Sequence, residues 1–383
     1  MYYNTNGAFL QLIWYLINVI IQSGDKMTRQ KNILMTQKTV MYALFFLTFG
    51  VMMVVGTFRD LAIDKALFHY QNAFAYFMEK YGMLPEFAIK LFAYSVLFVS
   101  YCKIDDALDI AQSLLPFTAK LRGIKPIRII LTVLYHLLYL AFLYGAFWGS
   151  NDLLEFLLRG ATGGNLQDLL MLGGWTKPAA VAVWTAARIA LEILVILLCR
   201  RVDKDTLQAL EFMAIAGLLM YEGGNIIGAL KEHFHRVRFR EMIAYSHGLV
   251  DAYGMTCRGS EDLPREWAAN SDYSAFTPWY KIGNDYGVFS EPNSFPSGHT
   301  AAAAYTLLLP ALVTKTKRAK QWFIPAFLLT FGYTLTMGIT RLVRGAHYMT
   351  DIAAGAMIMF LILAVIMAIM NRIERYANAH RKE

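Results

Sequence analysis

The sequence predicts an all-α, polytopic helical membrane protein of about eight transmembrane helices, with a helical-bundle core in its C-terminal half. Three observations carry that prediction. The 383 residues are 57% hydrophobic with a mean hydropathy of +0.39, and only 17% are charged, whereas a soluble domain carries about a quarter. Apolar stretches near the roughly twenty residues that cross a bilayer recur along the chain. Lysines and arginines gather in alternate connections between those stretches. A net charge of +8 without a basic face interleaved with aromatics on a soluble domain argues against nucleic acid as a partner. Cys102, Cys199 and Cys257 are far apart, so neither a disulfide framework nor a zinc spacing follows, and they are expected as buried small hydrophobes.

Taken in order, Ala8 to Ile21 is apolar but interrupted by Gln11 and Asn18, too short to span, and reads as an interfacial helix. Spans are expected at Thr39–Thr57, Phe87–Cys102, Ile127–Trp148, Ala179–Cys199 and Leu207–Leu230, then at Thr300–Val313, Trp322–Thr340 and Ile352–Met370. The segment from Phe58 to Lys65 alternates apolar and charged positions at helical spacing, which suggests a helix lying in the interface. The connection 231–299 is the longest and holds most of the turn residues, the composition of a lid or binding loop. Charge then orients the chain. One set of connections holds Lys26, Arg29, Lys31 and Lys38; Lys103, Lys120, Arg122 and Lys125; Arg200, Arg201 and Lys204; Lys315, Lys317, Arg318 and Lys320; and Arg372, Arg375, Arg381 and Lys382. These are assigned to the cytoplasm with both termini, and 58–86, 149–178, 231–299 and 341–351 face outward. The expected organisation is an N-terminal cytoplasmic or interfacial segment 1–38, a transmembrane region 39–206, a core domain 207–371 and a basic cytoplasmic tail 372–383.

Three polar runs lie on that outer face. Lys231 and Arg238 are seven residues apart, close to two helical turns, so they share a face if the helix continues and could clamp a phosphate; snorkelling at a helix end is the plainer alternative. Pro296-Ser297-Gly298-His299 opens a helix whose first N–H groups suit an anion. There Gly298 admits close backbone approach, Ser297 can donate or cap, and His299 can deliver a proton. Thr340-Arg341 leads to His347 and Asp351, four residues apart, where on a helix the carboxylate can accept the imidazole N–H and leave the other nitrogen free to attack. Arg188 and Glu192 are expected as an internal ion pair, Glu222 and Asn225 as bundle packing, and His233 and His235 as interfacial residues without a third metal ligand.

Lys231…Arg238, Pro296-Ser297-Gly298-His299 and Arg341…His347…Asp351 together resemble the three signature motifs of the type-2 phosphatidic acid phosphatase superfamily, membrane lipid phosphate phosphatases related to vanadium haloperoxidases. The resemblance covers about residues 207–371, with a weaker likeness over Thr57–Pro85. Two positions depart from the pattern: Phe239 stands where the family has proline, and Thr340 where it has serine. Five spans precede the first motif instead of three. The resemblance implies a phosphatase core acting on a lipid phosphate or diphosphate in the bilayer, in a bacterial cell membrane, through a phosphohistidine. His347 would be the nucleophile oriented by Asp351, and His299 the acid on the leaving oxygen. Lys231, Arg238, Ser297, Gly298 and Arg341 would bind the phosphate, with no metal or other cofactor required. A phosphotransferase using the same phosphohistidine, and a non-catalytic anion-binding membrane protein or transporter, are the alternatives.

Overall fold

The computed structural model describes residues 26–102, 125–162, 170–171, 173–250, 263–283, 287–289 and 293–380. It is 79% helical, and no strand occurs among the described residues. In chain order the helices are α1 Lys26–Leu67, α2 Ala73–Tyr81, α3 Leu84–Cys102, α4 Lys125–Thr162, α5 Lys177–Arg200, α6 Lys204–Gly223 and α7 Asn225–Phe234. There follow α8 Phe239–Ser246, α9 Trp267–Asn270, α10 Gly298–Ala304, α11 Leu308–Val313, α12 Ala319–Val343 and α13 Met349–His380, with a 3₁₀ turn, Tyr305–Leu307, between α10 and α11.

Among the described residues, six helical segments are long and apolar enough to cross a membrane, which makes this an integral membrane protein. They are Asn32–Leu67, Ala73–Ser100, Lys177–Arg200, Ala209–Ser246, Ala319–Val343 and Met349–Arg375. The expected eight are not all recovered. Gly298–Val313 is a shorter apolar helix, interrupted by the 3₁₀ turn, and its alanine run is buried inside the bundle. The expected span Ile127–Trp148 lies within α4, where several side chains fall outside the described residues. The interfacial helix expected at Ala8–Ile21 also lies outside them, as do Cys257 and the side chain of Cys102. Cys199 is buried and free, as a small core hydrophobe would be.

The central core joins α1, α6, α10, α11, α12 and α13 through Phe49, Met220, Ala304, Leu308, Phe327 and Phe360. Phe45 packs on Phe49 at 4.7 Å and on Phe360 at 4.6 Å between ring centroids. On α1 the buried positions are Phe45, Phe49, Gly56, Asp60 and Asp64, a helical stripe, while Leu47, Val51, Val54 and Phe58 are exposed on the other face. The segment from Phe58 to Lys65 therefore continues α1, and its two aspartates turn into the protein instead of towards an interface. A second cluster packs at the end of the bundle that carries the turn between α12 and α13, with Phe68, Tyr70, Val237, Phe239, Leu263, Phe289 and Tyr348. A third holds α3, α5 and α6 together through Val96, Val99, Cys199 and Leu207. In that region Arg188 donates to the Phe147 carbonyl at 3.1 Å and lies 3.8 Å over the Phe147 ring, and Glu192, four residues on, adds an electrostatic attraction to it.

The helix that carries Lys231 stops short of Arg238. α7 ends at Phe234, with His235 in the left-handed region (φ 45°) as its C-cap, so Lys231 and Arg238 do not share a helix face. Arg238 instead precedes α8 in extended conformation. Phe239 occupies the first turn position of α8, which also suits proline, so the replacement leaves the path of the chain intact. Its ring adds packing: it is fully buried, stacked on Tyr273 at 5.2 Å and edge-on to Phe68 at 5.4 Å.

Candidate active site

A cavity of about 660 Å³ opens among α2, α3, α6, α7, α10 and the turn between α12 and α13. Lys231, Arg238, Gly298, His299 and His347 line it. All three polar runs of the sequence thus reach one cavity. They do so by different means. Lys231 projects from the last turn of α7 and donates to the Asn293 carbonyl at 2.7 Å, while Arg238 donates from beyond the end of that helix to the Asn293 side-chain oxygen at 2.8 Å. Asn293 is therefore the link that converges two cations which the broken helix would otherwise separate. A Cβ on Gly298 would stand 3.5 Å from Lys231 Cε, so the bare backbone of α10 runs directly beside that side chain.

Ser297 is fully buried and caps α10: its oxygen accepts from the Thr300 N–H at 3.3 Å and from the Thr300 hydroxyl at 2.9 Å. It does not line the cavity. Its N–H donates to the Asp351 carbonyl at 2.9 Å, which ties the loop to α13. A Cβ on Gly355, one turn along α13, would meet the Ser297 carbonyl at 2.4 Å, so only glycine allows this approach.

His347 and His299 face each other with ring centroids 6.4 Å apart. His347 lies ahead of α13, which starts at Met349, so the pairing expected from helical spacing does not form as a direct bond. Its Nδ1 is 3.8 Å from Asp351 Oδ2 but 2.7 Å from the Ser294 carbonyl. A carbonyl only accepts, so Nδ1 carries the proton and Nε2 is left with a free lone pair. Burial holds the His347 imidazole down to about 3, with Lys231 and Arg238 adding to the effect, so the ring is neutral at ordinary pH.

Asp351 is fully buried and acts on His347 through intermediaries. Its Oδ2 accepts from the Ser294 hydroxyl at 2.5 Å and the Tyr348 N–H at 2.9 Å, and its Oδ1 from Arg236 at 2.5 Å. Ser294 thus presents its carbonyl to His347 and its hydroxyl to Asp351. Arg236 is 1% exposed and also donates to Thr350 at 2.8 Å, to Asp60 at 2.8 Å and to the Thr277 carbonyl at 2.7 Å. Its guanidinium lies 4.0 Å over the Tyr348 ring. Asp60, from α1, also accepts from the Thr350 N–H at 3.1 Å and from the Thr350 hydroxyl, which caps the start of α13.

Arg341 is 1% exposed and donates through Nη2 to Glu79 at 2.9 Å. Arg240 and Arg344 donate to the same carboxylate at 2.9 and 2.7 Å. Thr340, in the serine position, closes its hydroxyl on the Met337 carbonyl of its own helix at 2.7 Å. Asn225 lines the cavity and bonds Glu222 at 3.1 Å. Sequence reasoning does not reach Glu79, Arg236, Asn293, Ser294 and Asp60 as site residues. The acids on α1 carry a usable signal, since charge on a membrane helix is functional by default. Arg236 sits two residues from Arg238 and shares its surroundings in sequence, and nothing local marks Ser294 or Glu79.

The PAP2 superfamily model matches residues 257–375. The stretch begins beyond Lys231 and Arg238 and contains His299, Arg341, His347 and Asp351. No curated protein and no solved structure matches the chain. Two facing histidines, a buried aspartate and a cation-lined cavity at the mouth of a membrane bundle agree with that match: over residues 257–375 the chain is similar to the PAP2 superfamily, whose activity is of the phosphatase type on phosphate esters.

Proposed function

We propose that the protein hydrolyses a lipid phosphate or diphosphate at the outer face of a bacterial membrane through a phosphohistidine. The observation that carries this reading is the Nδ1–H of His347 held on the Ser294 carbonyl at 2.7 Å, which leaves Nε2 a neutral nucleophile across from His299. Nε2 attacks phosphorus, the Nε2–P bond forms as the ester P–O bond breaks, and His299 gives its proton to the departing lipid oxygen. Burial and the nearby Arg341 push the His299 imidazole well below its ordinary range, so it holds the proton it donates only while the phosphoryl anion is bound beside it. Water, losing a proton to His299, then displaces His347 and releases inorganic phosphate.

Lys231, Arg238 and Arg341 would meet the charge that develops on the equatorial oxygens, together with the Gly298 N–H at the start of α10. Asp351 would balance the positive charge that forms on His347, from 3.8 Å and through Ser294. The substrate partner is a membrane lipid presenting a terminal phosphate. Ser297, as the cap of α10, would serve the site by holding that helix mouth in place.

The test is phosphate release by purified protein from phosphatidate, phosphatidylglycerophosphate, a polyprenyl diphosphate and a diacylglycerol diphosphate. His347→Ala is expected to lose at least about a thousandfold in rate on whichever of these is turned over. Unchanged release by that variant would sink the proposal.

A further inference from the structure

The cavity contains an acid that none of the three motifs supplies. Glu79 stands on α2, far upstream of residues 257–375, yet it lines the same cavity as His299 and His347. Its Oε1 accepts from Arg341 Nη2 and Arg240 Nη1, both at 2.9 Å, and its Oε2 from Arg344 Nε at 2.7 Å. One carboxylate thus gathers three guanidiniums that would repel one another without it.

Packing places Glu79 independently of those ion pairs. At the end of α2, a Cβ on Gly82 would meet Met337 Cε at 2.1 Å and the Met78 carbonyl at 2.5 Å, so α2 is pressed against α12. The Tyr333 hydroxyl, also on α12, donates to the Gly82 carbonyl at 2.7 Å. Met337 is one turn before Arg341, so this contact sets Glu79 and Arg341 in register. Arg341 keeps two donors, Nε and Nη1, buried and without a hydrogen-bond partner. Arg341 stands just behind the cavity wall, whose lining includes its partner Glu79 but not Arg341 itself; buried donors are nearly always satisfied, and an anion bound against that wall is the partner that would complete these.

We infer that Glu79 is the counter-ion of the phosphate site: a positioning residue that holds Arg341 ready and removes one unit of positive charge from the cavity, so that inorganic phosphate leaves after hydrolysis. The inference rests on the reading of the cavity as a phosphate site. It assigns to the N-terminal region, outside the PAP2 match, a direct part in setting anion affinity.

The test is binding of inorganic phosphate to purified full-length protein, with kcat and KM measured alongside. Glu79→Gln keeps the shape and removes the charge. It is expected to bind phosphate about tenfold more tightly, with KM and kcat both lowered. Glu79→Asp keeps the charge and is expected to return phosphate affinity to within about threefold of the parent. A purely structural Glu79 would lower activity in both variants without tightening phosphate. Unchanged or weaker phosphate binding by folded Glu79→Gln overturns the inference while leaving the hydrolase reading intact. If Glu79→Gln does not stay folded in detergent, added phosphate is expected to restore its thermal transition by standing in for the lost carboxylate, and failure to do so also overturns it. No phosphate binding by the parent protein would sink the phosphate reading, and this inference with it.

Discussion

Arg236 and Arg238 stand two residues apart and serve different ends. Arg238 lines the cavity and bonds Asn293, whereas Arg236 is buried and spent on Asp351, Asp60 and Thr350. Local sequence does not separate these roles, because both are arginines beside a helix break; only the direction taken by the chain after His235 does. The His347–Asp351 relation has the same character. Spacing brings the two residues near one another, but the start of α13 after His347 puts Ser294 between them. The charge state of His347 yields a prediction. Its folded value is about 3 against an ordinary 6.5, so the folded state binds this proton less readily than the unfolded chain does. The stability it contributes is complete above the ordinary value and is lost as pH falls from there towards 3. Thermal melts of the parent protein and His347→Gln between pH 7 and pH 4 are expected to diverge, the parent losing about 3 kcal/mol more. Parallel melting curves would show that the imidazole is not held neutral.

At the scale of elements, the site depends on how closely helices meet. α10 and α13 approach so tightly that Gly355 has no room for a side chain against the Ser297 carbonyl. Gly355→Ala is expected to cost about 1–3 kcal/mol, because the obstacle is backbone and cannot turn aside. It is also expected to lower kcat more than it raises KM, since the loop carrying Ser294 and the helix carrying His299 shift against Asp351. A variant with the parent's melting temperature and activity would refute that tight contact. α1 extends the logic. Read as a lone amphipathic stretch, Phe58 to Lys65 resembles an interfacial helix, but Asp60 reaches Arg236 and Thr350 and so pins the first span to the start of α13.

At the scale of the whole molecule, hydropathy marks membrane segments without distinguishing lipid-facing from bundle-facing surfaces. Leu47 and Phe49 are equally apolar, yet one is exposed and the other fully buried. The short Gly298–Val313 helix shows the limit of counting by length, because a buried helix inside a bundle need not reach both faces of a bilayer. Orientation is testable directly. In a cysteine-free background, Lys281→Cys, on the long outer connection, is expected to react with a membrane-impermeant maleimide on intact cells. Lys317→Cys, between α11 and α12, is expected to react only after permeabilisation. The reverse pattern would invert the proposed topology and place the cavity on the cytoplasmic side.

By itself the sequence determined the all-helical membrane class, most of the spans and the residues of three motifs, because hydrophobic length and charge asymmetry are local properties and motif chemistry is written in adjacent residues. Tertiary structure alone decided which partners those residues have. Glu79 meets Arg341 across 262 positions of chain and Asp60 meets Thr350 across 290, and no local pattern encodes contacts of that separation. They arise from burial, where each charge drawn into a bundle must find an opposite charge or a hydrogen bond, and that requirement is met in space and not along the chain.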